Sequence, residues 1–215
     1  MSNANIKIVT FFKISLFLQW NIGHLKSFFK IFTRVRNLML HPASEWKEIA
    51  AENNSRKTVY MRFVLPWLCL IAIATIIGTW LATSRELYSV WFVLYMIVLL
   101  WASISAGLYV SAVVITEIMA HQSGTGDLNR DFTLIAYASG AAYLVIAFVA
   151  LFPFFNELLI LAFYSCYLFW RGIPYIIRID DQKQMIYGLL SFIIILLVHL
   201  LMFFLFGKLF GAILL

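Results

Sequence analysis

Residues 63–215 consist of five long apolar blocks separated by short polar seams. A helix needs about 20 apolar residues to cross roughly 30 Å of hydrocarbon. In lipid, each backbone N–H and C=O must be bonded within the protein, so such blocks fold as helices. The chain is therefore expected to be an all-α, polytopic integral membrane bundle of five transmembrane helices. An N-terminal cytosolic amphipathic helical segment precedes it. Composition points the same way. Hydrophobic residues make up 63% and charged residues 12%, against roughly a half and a quarter in soluble domains.

Two regions are expected. Residues 1–62 form a basic, interfacial segment, and residues 63–215 form the membrane domain. Its spans are placed at about 63–82, 88–119, 132–152, 157–177 and 187–207. The second block is long enough to tilt, bend or protrude. Residues 5–22 are apolar but interrupted by Lys7 and Lys13, and no small-residue cleavage site follows, which argues against a signal peptide or a span. Pro66 falls in the first turn of the first span, where a missing N–H does least harm. Ser84 fits the N-cap of the second span, in the connector Thr83–Leu87.

Of the 16 Lys and Arg, ten lie in residues 1–62. Leu25, Phe28, Phe29, Phe32, Val35 and Met39 recur at helical spacing, with Lys26, Lys30, Arg34 and Asn37 on the other face. Two readings fit this pattern. The helix lies in the headgroup plane, with Lys26, Lys30 and Arg34 on anionic lipid, or it packs on the cytosolic ends of the spans. Arg36 falls on the apolar side and would have to snorkel. No recognised nucleic-acid motif accompanies the charge. With the N-terminus inside, Arg130, Arg171, Arg178 and Lys183 join the inner side, and only Arg85 and Lys208 lie outside. This asymmetry predicts a cytosolic N-terminus and an external C-terminus.

Residues with chemical potential are few. No HExxH, GxSxG or P-loop pattern is present, and no cofactor or metal is implied. Gly124-Thr125-Gly126-Asp127 has the GxGD form of intramembrane aspartyl proteases. That chemistry needs a second aspartate within a span, whereas Asp131, Asp180 and Asp181 all fall in seams, so a turn is the better reading. Cys69 and Cys166 read as small packing residues within spans. His199, well inside the fifth span, is a candidate polar position or a neutral imidazole bonded to its helix neighbourhood. Glu117 and Arg171 lie near cytosolic span ends. They either approach each other or snorkel to separate headgroups.

Ser103, Gly107 and Ser111 are spaced by four in the second span, and Ala136 and Gly140 repeat that spacing in the third. Small-residue stripes let helix backbones approach closely in lipid. They suggest that spans two and three pack together, or that one of them forms a homodimer face.

The run Arg36-Asn37-Leu38, with Pro42, Trp46 and Ile49, resembles the segment leading into the first span of prokaryotic members of the Yip domain family, the Ypt/Rab-interacting membrane proteins. Tyr137-Ala138-Ser139, with Pro153 closing that helix, is similar to the family's third-span pattern. Tyr164-Ser165-Cys166-Tyr167-Leu168, then Gly172-Ile173-Pro174, Asp181, Lys183 and Tyr187-Gly188, resemble its junction of spans four and five. The resemblance covers about residues 34–207. It implies five spans with a cytosolic N-terminus and no assigned activity. Eukaryotic relatives bind prenylated Rab GTPases. This chain lacks their Asp-Leu-Tyr-Gly-Pro motif and is basic where they carry it, so Rab binding is not carried over.

The expected function is a non-enzymatic membrane scaffold, assembly partner or lipid-organising protein in a bacterial cytoplasmic membrane, associating as a homo- or hetero-oligomer. The alternative is a small permease with a polar site near His199, Ser139 and Tyr143 and a helix break at Gly172–Pro174.

Overall fold

In the spans, apolar runs leave the backbone no partner but itself, and the chain responds with helix almost throughout. A computed structural model describes residues 29–82, 90–123, 126–177, 179 and 181–214. Expectations for residues 5–22, for Leu25, Lys26 and Phe28, and for the connector with Ser84 and Arg85 lie outside the described residues, as do Arg178 and Asp180.

Helix α1 covers residues 29–40, and α2 is Pro42–Glu52. Pro42 stands in the first turn of α2, where no N–H is needed. Asn53 ends α2 in the left-handed region, φ 43°, a conformation asparagine tolerates. Helix α3, Arg56–Ala82, begins on Ser55, whose Oγ accepts the Thr58 N–H. It contains a π turn at Tyr60–Val64, with the Leu65 N–H on the Tyr60 carbonyl. Pro66 follows at once; it has no N–H to donate, and the widened turn lies just ahead of it.

Helix α4 is Val90–Ser123, α5 Leu128–Ala138, and α6 Gly140–Leu151. Helix α7 is Pro153–Ile176, its first part a 3₁₀ segment to Phe163, and α8 is Asp181–Leu214. Four of these (α3, α4, α7 and α8) are long and apolar enough to span a membrane, and the bent pair α5–α6, counted as one broken span, brings the number to five.

The third span is not continuous. Its two halves meet at Ser139 with a bend of 42°. Ser139 Oγ donates to the Ile135 carbonyl at 2.8 Å, a back-bond that bends helices. Past the bend, the Ala142 N–H donates to Ser165 Oγ of α7 at 2.9 Å. The expected break at Gly172–Pro174 is not there: α7 runs through both residues to Ile176. Pro174 is exposed, and Gly172 is used for packing. A Cβ on Gly172 would meet Leu134 Cδ1 at 2.5 Å and Trp46 Cε2 at 2.7 Å.

Helix α1 packs on the bundle, with Ile31, Val35 and Leu38 buried and Phe29 and Arg36 exposed. The packing against the spans that the second reading requires is observed. The most extensive helix pair is α4 with α8, followed by α3 with α6; α5 packs between α4 and α7. The core runs from Trp46 of α2 through Trp67, Leu68 and Ile71 of α3 to Leu134, Leu168 and Ile173.

The small-residue stripes find partners other than those expected. Gly107 faces His199 of α8, whose Cδ2 would lie 2.8 Å from an added Cβ. Gly140 faces Val35 Cγ2 and Phe63 Cζ at 2.9 and 3.0 Å. Spans two and three do pack together, and Thr116 and Asp131 bond across them. Among the described glycines the tightest approach is at Gly78, where a Cβ would overlap the Ala150 backbone oxygen.

Backbone cannot yield as a side-chain tip can. Gly78→Ala is expected to destabilise the protein by about 1–3 kcal/mol or more, the range for overpacking. Gly207→Ala, whose Cβ would meet nothing closer than 3.9 Å, is expected to be neutral. Thermal unfolding in one detergent compares the two; equal midpoints would contradict the packing.

Candidate functional site

Polar side chains inside this bundle are scarce, so the places where they meet are informative. Three meeting points stand out.

The first is Asp131, 2% exposed, one turn into α5. Tyr187 of α8 donates its hydroxyl to Oδ1 at 2.7 Å, and Thr116 Oγ1 of α4 lies 2.6 Å from Oδ2. One carboxyl thus joins spans two, three and five. Thr116 Oγ1 is also 2.8 Å from the Ala112 carbonyl, and its single proton serves one acceptor at a time. With Asp131 neutral, Oδ2–H donates to Thr116, which donates to Ala112. With Asp131 ionised, Thr116 turns its proton to the carboxylate. The junction closes in both states. The N-terminal end of α5 also favours an anion at this position. Phe169 stacks on Tyr187 with centroids 6.4 Å apart, and Gly188 admits the Trp170 ring, whose Cζ3 would lie 2.5 Å from a Cβ.

The second is Arg34 of α1. Its Nε lies 3.1 Å from Glu45 Oε1 and its Nη2 2.5 Å from Glu52 Oε1, both on α2. Its guanidinium carbon stands 5.7 Å from the centre of the Tyr137 ring, a cation–π distance. Tyr137 packs in turn on Phe63, centroids 4.4 Å apart. Burial works against the Arg34 charge, but the hydrogen bond to Glu52 and the surrounding negative charge outweigh it and hold its pKa above the usual value. Arg34, expected to face headgroups beside Lys30, uses two of its nitrogens to tie α1 to α2.

The third is His199 of α8. Its Nδ1 sits 2.9 Å from the Ile195 carbonyl, so Nδ1 carries the proton and Nε2 is left as an acceptor. His199 borders two cavities of about 310 and 630 Å³. Tyr143 and Ser139 line the smaller one, and the Tyr143 hydroxyl is buried without a partner. Ser103 lines the larger, its Oγ likewise unpartnered. Ser111 of α4 and Ser191 of α8 are fully buried on the two helices that pack most extensively.

Other candidate positions separate. Glu117 and Arg171 are both exposed, and among the described residues no ion pair joins them. Asp127 is the N-cap of α5, accepting from the Asn129 and Arg130 N–H groups at 2.9 and 3.3 Å. That accounts for the GxGD run. Ala136 is buried in α5. Cys69 is exposed and Cys166 partly buried, both free. Among the described residues, no group of His, Cys, Asp and Glu is arranged to hold a metal.

Sequence reasoning placed Asp131 in a seam and missed it. The signal was available. Asp131 stands four residues after an N-cap and shares its helix face with Ile135 and Ala138 (i+4 and i+7), a buried stripe.

The Yip1 domain matches residues 36–204 of this chain. The chain belongs to the Yip1 domain family. It is an integral, multi-pass membrane protein. The matched region takes in the Asp131 and His199 junctions whole and the α2 carboxylates that hold Arg34, and it begins two residues after Arg34 itself. Among curated proteins and solved structures, no significant match exists.

Tyr187→Phe removes one of the two bonds to a buried carboxyl. The expected loss is about 1–3 kcal/mol. Asp131→Asn keeps a donor towards Thr116 and an acceptor for Tyr187, and should cost less than Asp131→Ala. Thermal unfolding of the single variants and of Tyr187→Phe with Asp131→Ala measures this. Additive losses would mean that the two residues are not coupled.

Proposed function

We propose that this Yip1-domain protein is a non-enzymatic scaffold of the membrane, which assembles with a protein neighbour or organises lipid around itself. The observation that carries this reading is the outer face of α8. In the most apolar window of that helix only 6% is buried, against 39% for α3 and for α4. Leu189, Ile193, Leu196, Leu197, Leu200 and Phe204 are all exposed along it. A helix that packs on α4 along one side and is this apolar and exposed along the other offers a long lateral surface. The polar ties across α4, α5 and α8 keep that surface in one place. The excess of Lys and Arg on one side supports a cytosolic N-terminus and an external C-terminus in a bacterial cytoplasmic membrane.

A photo-crosslinking residue at Leu197 or Leu200, in native membranes, tests the assembly. The expected result is one protein adduct of constant mass, from a second copy or from a different protein. Adducts with lipid alone, together with a bare monomer on extraction into native nanodiscs, would remove the assembly reading.

A second reading, a small permease, draws on His199 and its two cavities near the middle of α8. Polar groups near the midplane are what transport sites use. Liposome flux of a candidate solute, abolished by His199→Ala while the fold survives, is the outcome that would favour it. Unchanged flux in that variant would count against it.

A further inference from the structure

Between α1, the end of α2, the start of α3 and α5 lies a cavity of about 480 Å³. Lys30 and Arg34 enter it from α1, Thr58 and Arg62 from α3, Tyr137 from α5 and Glu52 from α2. Arg34 is 10% exposed at its side chain, and its Nε and Nη2 are taken by Glu45 and Glu52. Its Nη1 is buried and has no hydrogen-bond partner. An arginine nitrogen left in that state costs free energy until an acceptor reaches it. Lys30 and Arg62 are exposed and, among the described residues, neither is ion-paired.

We infer that this cavity binds the phosphate of an anionic phospholipid headgroup. The inference deepens the lipid-organising part of the reading above and rests on it. Three cations, Lys30, Arg34 and Arg62, surround a space in which Glu52 is the only lining carboxylate, and that carboxylate is already held by Arg34. The unpartnered nitrogen belongs to a guanidinium, the group whose rigid donors suit phosphate oxygens. Thr58 adds a hydroxyl that can also donate. Depth decides between a lipid and a soluble ligand. Thr58, Arg62 and Phe63 occupy the first turns of a helix that is apolar from Leu65 onward. The cavity therefore sits where headgroups sit, and Ile31 and Phe63 give it an apolar side. The π turn at Tyr60–Val64 carries both Arg62 and Phe63. Such turns recur at functional positions.

The test uses the full chain in detergent and native mass spectrometry. The probes are dioleoylphosphatidylglycerol, dioleoylphosphatidylcholine and glycerol 3-phosphate. Phosphatidylglycerol is expected to bind in preference to phosphatidylcholine at equal concentration, and glycerol 3-phosphate not to compete. Lys30→Gln and Arg62→Gln should each weaken the preference about fivefold, the effect of roughly 1 kcal/mol per cation near a membrane surface. Both positions are exposed, so unfolding midpoints should stay unchanged. Lys47→Gln and Lys57→Gln each remove one charge, as the test variants do, from exposed positions outside the cavity and should leave the preference intact. Equal loss in those controls would overturn a discrete site in favour of a diffuse field. Equal binding of the two lipids would overturn the inference outright. Competition by glycerol 3-phosphate would overturn the lipid assignment. Each of these outcomes is independent of the α8 crosslink, so the scaffold reading stands or falls separately.

Discussion

A carboxyl group buried at 2% exposure in a membrane bundle is costly unless its oxygens are met, and Asp131 is met from two other helices. That single requirement organises the inner half of the molecule. Thr116 and Tyr187 can reach Asp131 only if α4 and α8 stand against α5 in one register. A shift of either helix by a turn would carry its donor about 5.4 Å away. Apolar packing in lipid does not discriminate so sharply, because lipid tails are as apolar as leucine side chains. The polar contact supplies the register, and the apolar contacts fill in around it. Phe169 stacked on Tyr187, and Trp170 lying over Gly188, hold the tyrosine where its hydroxyl is needed.

Outside the hydrocarbon the same logic recurs with full charges. Helices α1 and α2 are short and would be marginal alone. They are joined by Arg34 to Glu45 and Glu52, and pressed onto the spans by Trp46, Ile49, Val35 and Leu38. Trp46 is fully buried against Gly172 of α7, so α2 reads the fourth span directly. Tyr137 sits between the two layers. Its ring meets Arg34 on one side and Phe63 on another, while α5 carries Asp131 six residues before it. The two polar junctions are therefore coupled through one short helix.

What the sequence disclosed follows from which constraints act locally. Hydrocarbon thickness acts on every residue of a span, so the apolar blocks and the all-helical class could be read directly. Close approach acts on residue size, so Gly107 and Gly140 could be read as packing positions. Their partners could not: nothing in the spacing of Ser103, Gly107 and Ser111 says whether a neighbour's backbone or the ring of His199 fills the notch. The rotation of α1 was partly legible. Val35 of the expected apolar stripe is buried, and Phe32 and Met39 pack against the core, whereas Phe29 is exposed. Ile31 and Leu38 extend the buried face beyond that stripe, and this brings Arg34 inward to its carboxylates. The bend at Ser139 was invisible because Ser139 and Gly140 lie in an apolar run, and a serine back-bond leaves no compositional mark. Gly172 and Pro174 look like breakers by type, yet the helix continues through them, since an exposed proline near a helix end displaces few bonds.

These features share one division of labour. Large side chains (Trp46, His199, Trp170, Phe63) are each received by a glycine on another helix (Gly172, Gly107, Gly188, Gly140). Glycine loses more conformational entropy on folding than any other residue, so its use at four facing contacts means that close approach outweighs that cost at each. The same helices leave α8 apolar on its outer side and admit cavities beside His199 and beneath Arg34. A bundle stabilised this way has its specific contacts concentrated inward and towards the end that carries α1 and α2. Its long lateral surface is then left to be defined by whatever surrounds it, which is the physical arrangement that a membrane scaffold requires.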